Sequence, residues 1–129
     1  MTKKRARDLG IPFDGQPGLL NSITDVTGIT VGMTTLISGD KNTKLGVGPI
    51  RTGVTVIHPR GKNVEPVFGA SATLNGNGEV TGLTWLEESG FIENPIGLTN
   101  THSVGIVRDA IIEWVLKNKF YIPTQYNVY

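Results

Sequence analysis

The sequence predicts a soluble α/β domain with a polar pocket wall, and three observations carry that reading. Ile29-Thr30-Val31-Gly32-Met33-Thr34-Thr35-Leu36-Ile37 is a β-branched run of strand length with rough alternation. Residues 103–118 put Val104, Val107, Ile111, Trp114 and Val115 on one helical stripe, while Arg108, Asp109, Glu113 and Lys117 face away. Seventeen glycines among 129 residues argue for tight turns and close backbone approaches rather than a helical bundle.

The elements follow in order. Residues 1–22 hold Lys3, Lys4, Arg5 and Arg7, then Pro12, Gly15, Pro17 and Gly18, which makes them an extended arm with turns. The sheet-and-helix part is residues 23–129, and Thr24-Asp25-Val26-Thr27-Gly28 turns the chain into its first strand. A polar loop over residues 38–48 leaves Asp40, Lys41 and Lys44 in water. Val54-Thr55-Val56-Ile57 is the second strand, stopped at His58-Pro59 because proline offers no N–H to a ladder. A third strand covers residues 67–74, and its Gly69, Ala70, Ser71 and Ala72 call for another layer close against it. Connections this short predict three neighbouring antiparallel strands.

Thr84 with Glu87 fits a capping box and Gly90 a left-handed stop, so a short helix is expected over residues 85–89. Residues 95–99 read as a short buried strand before the helix over 103–118, where Glu113 and Lys117 form an i,i+4 pair. Residues 120–129, with Pro123, end without a stop signal, as though cut in mid-protein.

Bulk composition excludes several functions. The chain has no cysteine, which rules out disulfides, thiolate metal sites and a cysteine nucleophile, and which fits the cytoplasm. Twelve basic against eleven acidic residues leave a net charge of +1, giving no electrostatic case for nucleic acid or membrane as partners. The basic start is not followed by the apolar stretch of a signal peptide, and no apolar run reaches bilayer-spanning length.

Candidate chemistry concentrates between Leu74 and Ala110. Asn75-Gly76-Asn77-Gly78-Glu79 is glycine-rich, but the next glycine is Gly82, which misses the dinucleotide spacing, and no Gly-Lys-Ser/Thr follows. The plainer reading is a tight turn exploiting the tolerance of Asn-Gly for positive φ. Glu87 and Glu88 are possible acid, base or amine anchors, but neighbours on a helix point about 100° apart. One therefore caps and the other looks into the cleft. His102 stands at the mouth of the long helix beside Asn100, Thr101 and Ser103. A helix N-terminus favours negative charge, yet the preferred reading is that Asn100 or Thr101 caps and His102 makes a local bond. Trp85 is either core or an aromatic wall for a substrate, and Trp114 is core. His58, in a turn, is expected to be exposed; with His102 so distant, no zinc site is expected. Neither Ser22 nor Ser103 sits in a Gly-x-Ser-x-Gly frame.

Ordered motifs then add a resemblance. Arg5-Ala6-Arg7-Asp8-Leu9-Gly10-Ile11, Asn21-Ser22-Ile23-Thr24-Asp25-Val26, Val31-Gly32 and Arg51-Thr52-Gly53-Val54-Thr55 are followed by Asn75-Gly76-Asn77-Gly78-Glu79, Thr81-Gly82 to Trp85, and Glu87-Glu88-Ser89-Gly90. With Thr99-Asn100-Thr101-His102-Ser103-Val104-Gly105, they run across nearly the whole chain. The sequence resembles the N-terminal part of the DmpA family of aminopeptidases, which includes L-aminopeptidase/D-Ala-esterase-amidase and the β-peptidyl aminopeptidases.

That resemblance implies an α/β sandwich with helices outside two central β-sheets, made as a precursor that cuts itself once. The new N-terminal serine of the second piece is the nucleophile, and its own amine is thought to serve as base. It also implies hydrolysis of N-terminal residues from short peptides, amides or esters, no metal or organic cofactor, and a homo-oligomer. The family's nucleophile, oxyanion asparagine and supporting serine and glutamate lie beyond residue 129. No residue here is therefore assigned a catalytic role, and the chain alone is expected to be inactive. It is expected to need the C-terminal segment, or β subunit, that carries the nucleophile. The substrate-pocket candidates are Trp85, Glu87, Glu88, Asn75, Asn77, Glu79, Asn100 and His102. Two alternatives stand beside this reading: a non-catalytic small-molecule-binding domain, and a structural assembly fragment of the same fold.

Overall fold

Two nine-residue strands, β1 (Thr30–Ser38) and β2 (Ile50–His58), pair antiparallel from Thr30 opposite His58 to Ser38 opposite Ile50. The computed structural model describes residues 3–40, 42–63 and 65–118; the expectations for Lys41 and for residues 120–129 fall outside them. The second strand is longer than the Val54-Thr55-Val56-Ile57 run, because Ile50 to Gly53 find partners along the far half of β1.

The predicted third neighbour of this sheet is corrected. Residues 67–74 supply only the two-residue β3 (Val67–Phe68), which pairs with β4 (Phe91–Ile92) in a separate two-stranded sheet. A Cβ on Gly69 would stand 2.5 Å from Ile92 Cγ1 and 3.0 Å from Leu86 Cδ1. The small residues do mark a close layer at Gly69, whose N–H donates to the Gly90 carbonyl at 2.9 Å. The second neighbour of β2 is instead β5 (Ile96–Leu98), with Val56 opposite Gly97.

The short helix α1 (Leu83–Ser89) follows Gly82 in the left-handed region and has no side-chain cap. The Thr84–Glu87 box does not form, because Thr84 already lies inside the helix; Glu87 instead accepts the Ser71 hydroxyl at 3.4 Å. Gly90 does close the helix at φ 73°, donating its N–H to Leu86. A capping box forms instead at Ser22. Its hydroxyl accepts the Thr24 N–H at 3.2 Å, while Asp25 accepts the Ser22 N–H at 3.0 Å.

The arm is exposed but folded back on itself. Arg5 donates to the carbonyls of Leu20, at 2.8 Å, and of Asn21, and Arg7 stacks over the Phe13 ring at 5.2 Å. Asp25 also accepts the Leu20 N–H at 2.8 Å. These backbone donors, Leu20 first and then Ser22, hold its carboxyl below the usual carboxylate range.

The long helix α2 (Val104–Lys117) is entered through a 3-10 turn, Thr101–Ser103, capped by Asn100 Oδ1 on the His102 N–H at 3.1 Å. Glu113 and Lys117 pair as expected. The helix lies on the sheet face that carries Gly97 and His58. Val107 and Ile111 press onto Gly97, where a Cβ would meet them at 2.6 and 2.9 Å. Trp114 meets the His58 ring edge-on, with centroids 5.1 Å apart. His58 is therefore half-buried rather than exposed, and Trp114 is half-buried rather than fully core. Arg108 is also half-buried and does not point cleanly away.

The opposite face of the same sheet is open at Met33, Ile37 and Leu98, while Val31, Ile57 and Ile96 on it are half-buried. Strand alternation places Val31, Met33, Ile37, Ile57, Ile96 and Leu98 there together. Met33 is 76% exposed, Ile37 69% and Leu98 52%. Val115, on the helix, is the sole fully buried residue among those described. Among the described residues no helix is long and apolar enough to cross a membrane.

Candidate functional site

A half-open cavity of about 430 Å³ lies beside β5, between α1 and α2. Its walls are largely apolar: Leu83 and Leu86 from the short helix, Val104, Val107 and Ile111 from the long one. The long helix thus serves two surfaces, with its apolar stripe holding both the sheet and one side of the cavity.

Polar groups enter at a few points. Glu93, half-buried on the segment after β4, accepts the Trp85 indole N–H at 3.1 Å. An indole has one donor and no acceptor, so this bond orients both the ring and the carboxylate. The Gly90 turn makes the meeting possible by reversing the chain between the two residues. Asn94, Arg108 and the exposed Glu79 also line the cavity. Arg108 Nη1 lies 3.2 Å from the Asp109 carboxylate. Thr99 lines it too, but its hydroxyl donates to the Gly53 carbonyl at 3.0 Å, tying β5 to β2.

Of the residues singled out in the sequence, Trp85 and Glu79 line this cavity. The others do not. Asn75 and Asn77 belong to an exposed loop ahead of it, where Asn75 Oδ1 accepts the Asn77 N–H at 2.9 Å. That loop turns through the asparagine side chain; neither Gly76 nor Gly78 takes a positive φ. Glu87 and Glu88 are exposed on the outer side of α1. Asn100 is a structural link, capping the 3-10 turn through Oδ1 and donating from Nδ2 to Thr52 Oγ1 at 2.8 Å. His102 contributes its backbone N–H to that cap, and its side chain is exposed.

Glu93, Asn94, Thr99 and Arg108 were not picked out from the sequence. Glu93-Asn94-Pro95 reads as a plain connection, and Arg108 falls on the polar side of a helical wheel. The one available signal was Glu93 standing eight residues past a tryptophan, across a helix-stopping glycine.

The arrangement can bind and orient. An apolar recess with a fixed carboxylate suits a small organic group bearing a hydrogen-bond donor or positive charge. Among the described residues that line the cavity there is no serine, cysteine, lysine or histidine. Among the described residues no three His, Asp or Glu side chains converge as a metal site would need.

Residues 21–128 match the sequence profile of Peptidase family S58. The chain belongs to that family. It is 53% identical over 117 residues to the beta-peptidyl aminopeptidase BapA of Sphingosinicella microcystinivorans, an overlap covering 90% of this chain and 30% of that protein. Its fold matches L-aminopeptidase D-Ala-esterase/amidase from Ochrobactrum anthropi, described as a prototype for the serine aminopeptidases and a variant of the Ntn hydrolase fold. That match has a TM-score of 0.78 at 39% identity, and covers 98% of this chain and 35% of the other. A beta-aminopeptidase from Burkholderia sp. matches with a TM-score of 0.76 at 47% identity, over 89% of this chain and 32% of its own.

The DmpA resemblance and the α/β fold class are both borne out. This S58 chain spans about a third of the length of these relatives.

Proposed function

We propose that this S58 chain is the front portion of a serine aminopeptidase that hydrolyses N-terminal residues from short peptides, amides or esters. The N-terminal serine nucleophile comes from a further segment of the enzyme, released by self-cleavage. That serine attacks the scissile carbonyl, its own amine takes the proton, and fixed donors hold the oxyanion. The present chain contributes scaffold and cleft wall, with Trp85, Glu79 and Glu93 contacting substrate. Residues 1–22 act as an arm and residues 23–129 as part of one aminopeptidase domain. The complete enzyme works in the cytoplasm as a homo-oligomer.

The observation that carries this reading is the sheet face left open at Met33, Ile37 and Leu98. Layered domains cover each apolar sheet face with a second layer. Among the described residues α2 packs on one face, so on this reading the further segment supplies the second layer. Leaving such a face to water gives up about 1.5–3 kcal/mol per large side chain, which favours assembly strongly.

The test is complementation. The purified chain is mixed with a separately expressed C-terminal segment that begins at its serine, taken from a close family member. Release of p-nitroaniline from alanyl or β-alanyl anilides is then followed. Turnover is expected only in the mixture. Turnover by the chain alone, or an assembled pair that never turns over, would overturn the proposal.

A further inference from the structure

The Asn75-Gly76-Asn77-Gly78 loop presents the same dipeptide twice, and its two asparagines are held differently. Both Asn-Gly pairs are exposed. The Asn75 carboxamide is tethered, since its Oδ1 accepts the Asn77 N–H at 2.9 Å. The Asn77 carboxamide makes no hydrogen bond to any described residue, and the Gly78 N–H is likewise unengaged. Gly78 carries no Cβ, and nothing lies within 4 Å of where one would stand.

We infer that Asn77 is a site of spontaneous deamidation, and that the fold selects it over Asn75. The Gly78 backbone nitrogen gives up its proton to base and attacks Asn77 Cγ. A nitrogen–carbon bond forms, the Cγ–Nδ2 bond breaks, and ammonia leaves with a proton from solvent. The five-membered succinimide then takes up one water. Opening at one carbonyl gives aspartate; opening at the other gives isoaspartate, with the main chain rerouted through the side-chain carbon. The balance is one amide and one water consumed, one acid and one ammonia formed, with no oxidant or cofactor.

The reaction needs a carboxamide free to swing its carbon towards the next backbone nitrogen. Asn77 has that freedom. At Asn75 the turn bond must first be broken. Each conversion at Asn77 places a carboxylate two residues from Glu79, making that loop more anionic, and isoaspartate adds a backbone carbon to it.

The purified chain is incubated at mildly alkaline pH and sampled over days by peptide mapping, with electron-transfer fragmentation to separate aspartate from isoaspartate. Conversion at Asn77 is expected to outrun that at Asn75 about ten-fold, the rate equivalent of one retained hydrogen bond of roughly 1.4 kcal/mol. Gly78→Ala should suppress conversion at position 77, while Gly76→Ala should leave it unchanged. In concentrated urea the two sites should convert at similar rates. Equal rates in the folded chain, a faster Asn75, no conversion at either site, or a ten-fold preference that survives urea would each overturn the inference.

Discussion

Gly97 lies beneath Val107 so closely that a Cβ on it would stand 2.6 Å from Val107 Cγ1. This contact seats α2 on β5, and so sets both the packed face of the sheet and one wall of the cavity. Gly97→Ala must push the helix away or strain its rotamers, at a cost of about 1–3 kcal/mol. Gly105, on the same helix, has nothing within 4 Å of its Cβ position. Gly105→Ala should therefore stabilise by about 1 kcal/mol through helix propensity alone. Urea denaturation followed by circular dichroism should move the two midpoints in opposite directions. Equal shifts would mean that the close approach does not matter.

The open face makes a second contrast. Met33→Asp and Ile37→Asp replace side chains that already meet solvent. Their effect on the stability of the chain alone should stay within about 0.5 kcal/mol. On the complementation proposal they should abolish turnover in the mixture, because a charge would be buried at the interface without a partner. Val107→Asp, on the packed face, should instead damage the chain by itself. Hydrogen exchange adds a test of the strand edge: β1 amides not paired to β2 should exchange fast in the isolated chain and slow once the C-terminal segment binds.

Trp85 and Glu93 form a pair whose removal should be felt in binding. Trp85→Phe deletes the indole donor and leaves a half-buried carboxylate short of a partner, costing about 1–2 kcal/mol. In the complemented enzyme, Glu93→Ala should weaken substrate capture by roughly ten-fold, and Glu93→Gln, which keeps an acceptor for the indole, by less. Steady-state kinetics on the alanyl anilide separates these outcomes. Glu88→Gln, on the outer side of α1, is the control and should change nothing.

Asp25 predicts a pH dependence with a definite sign. Its carboxyl is held below the ordinary range by the Leu20 and Ser22 N–H groups, with a smaller contribution from the Arg5 charge. A carboxylate whose folded pKa is depressed stabilises the fold above its unfolded pKa, and that contribution disappears as pH falls through the folded value. The arm should therefore be firmest from weakly acid to neutral pH and loosen in stronger acid. Amide exchange at Leu20 and Ser22, measured against pH, should show the loss. Asp25→Asn should flatten the profile.

What could be read along the chain was whatever is local in origin. The strand at Thr30–Ser38 and the helix at Val104–Lys117 announce themselves because their periodicity is written in consecutive residues. Gly90 announces a helix end for the same reason, and the ordered DmpA motifs announced the family that the S58 profile bears out. What escaped was decided by residues far apart in sequence. Gly97 beside Val56 rather than residues 67–74 beside β2, Trp85 against Glu93, and Thr99 bound to Gly53 all depend on how separate elements come to rest. Pattern tells a residue which side of its own element it occupies, but not what stands opposite. Alternation makes the face with Val31, Met33, Ile37, Ile57, Ile96 and Leu98 the more apolar of the two, and only packing shows that the helix takes the other face and leaves this one open.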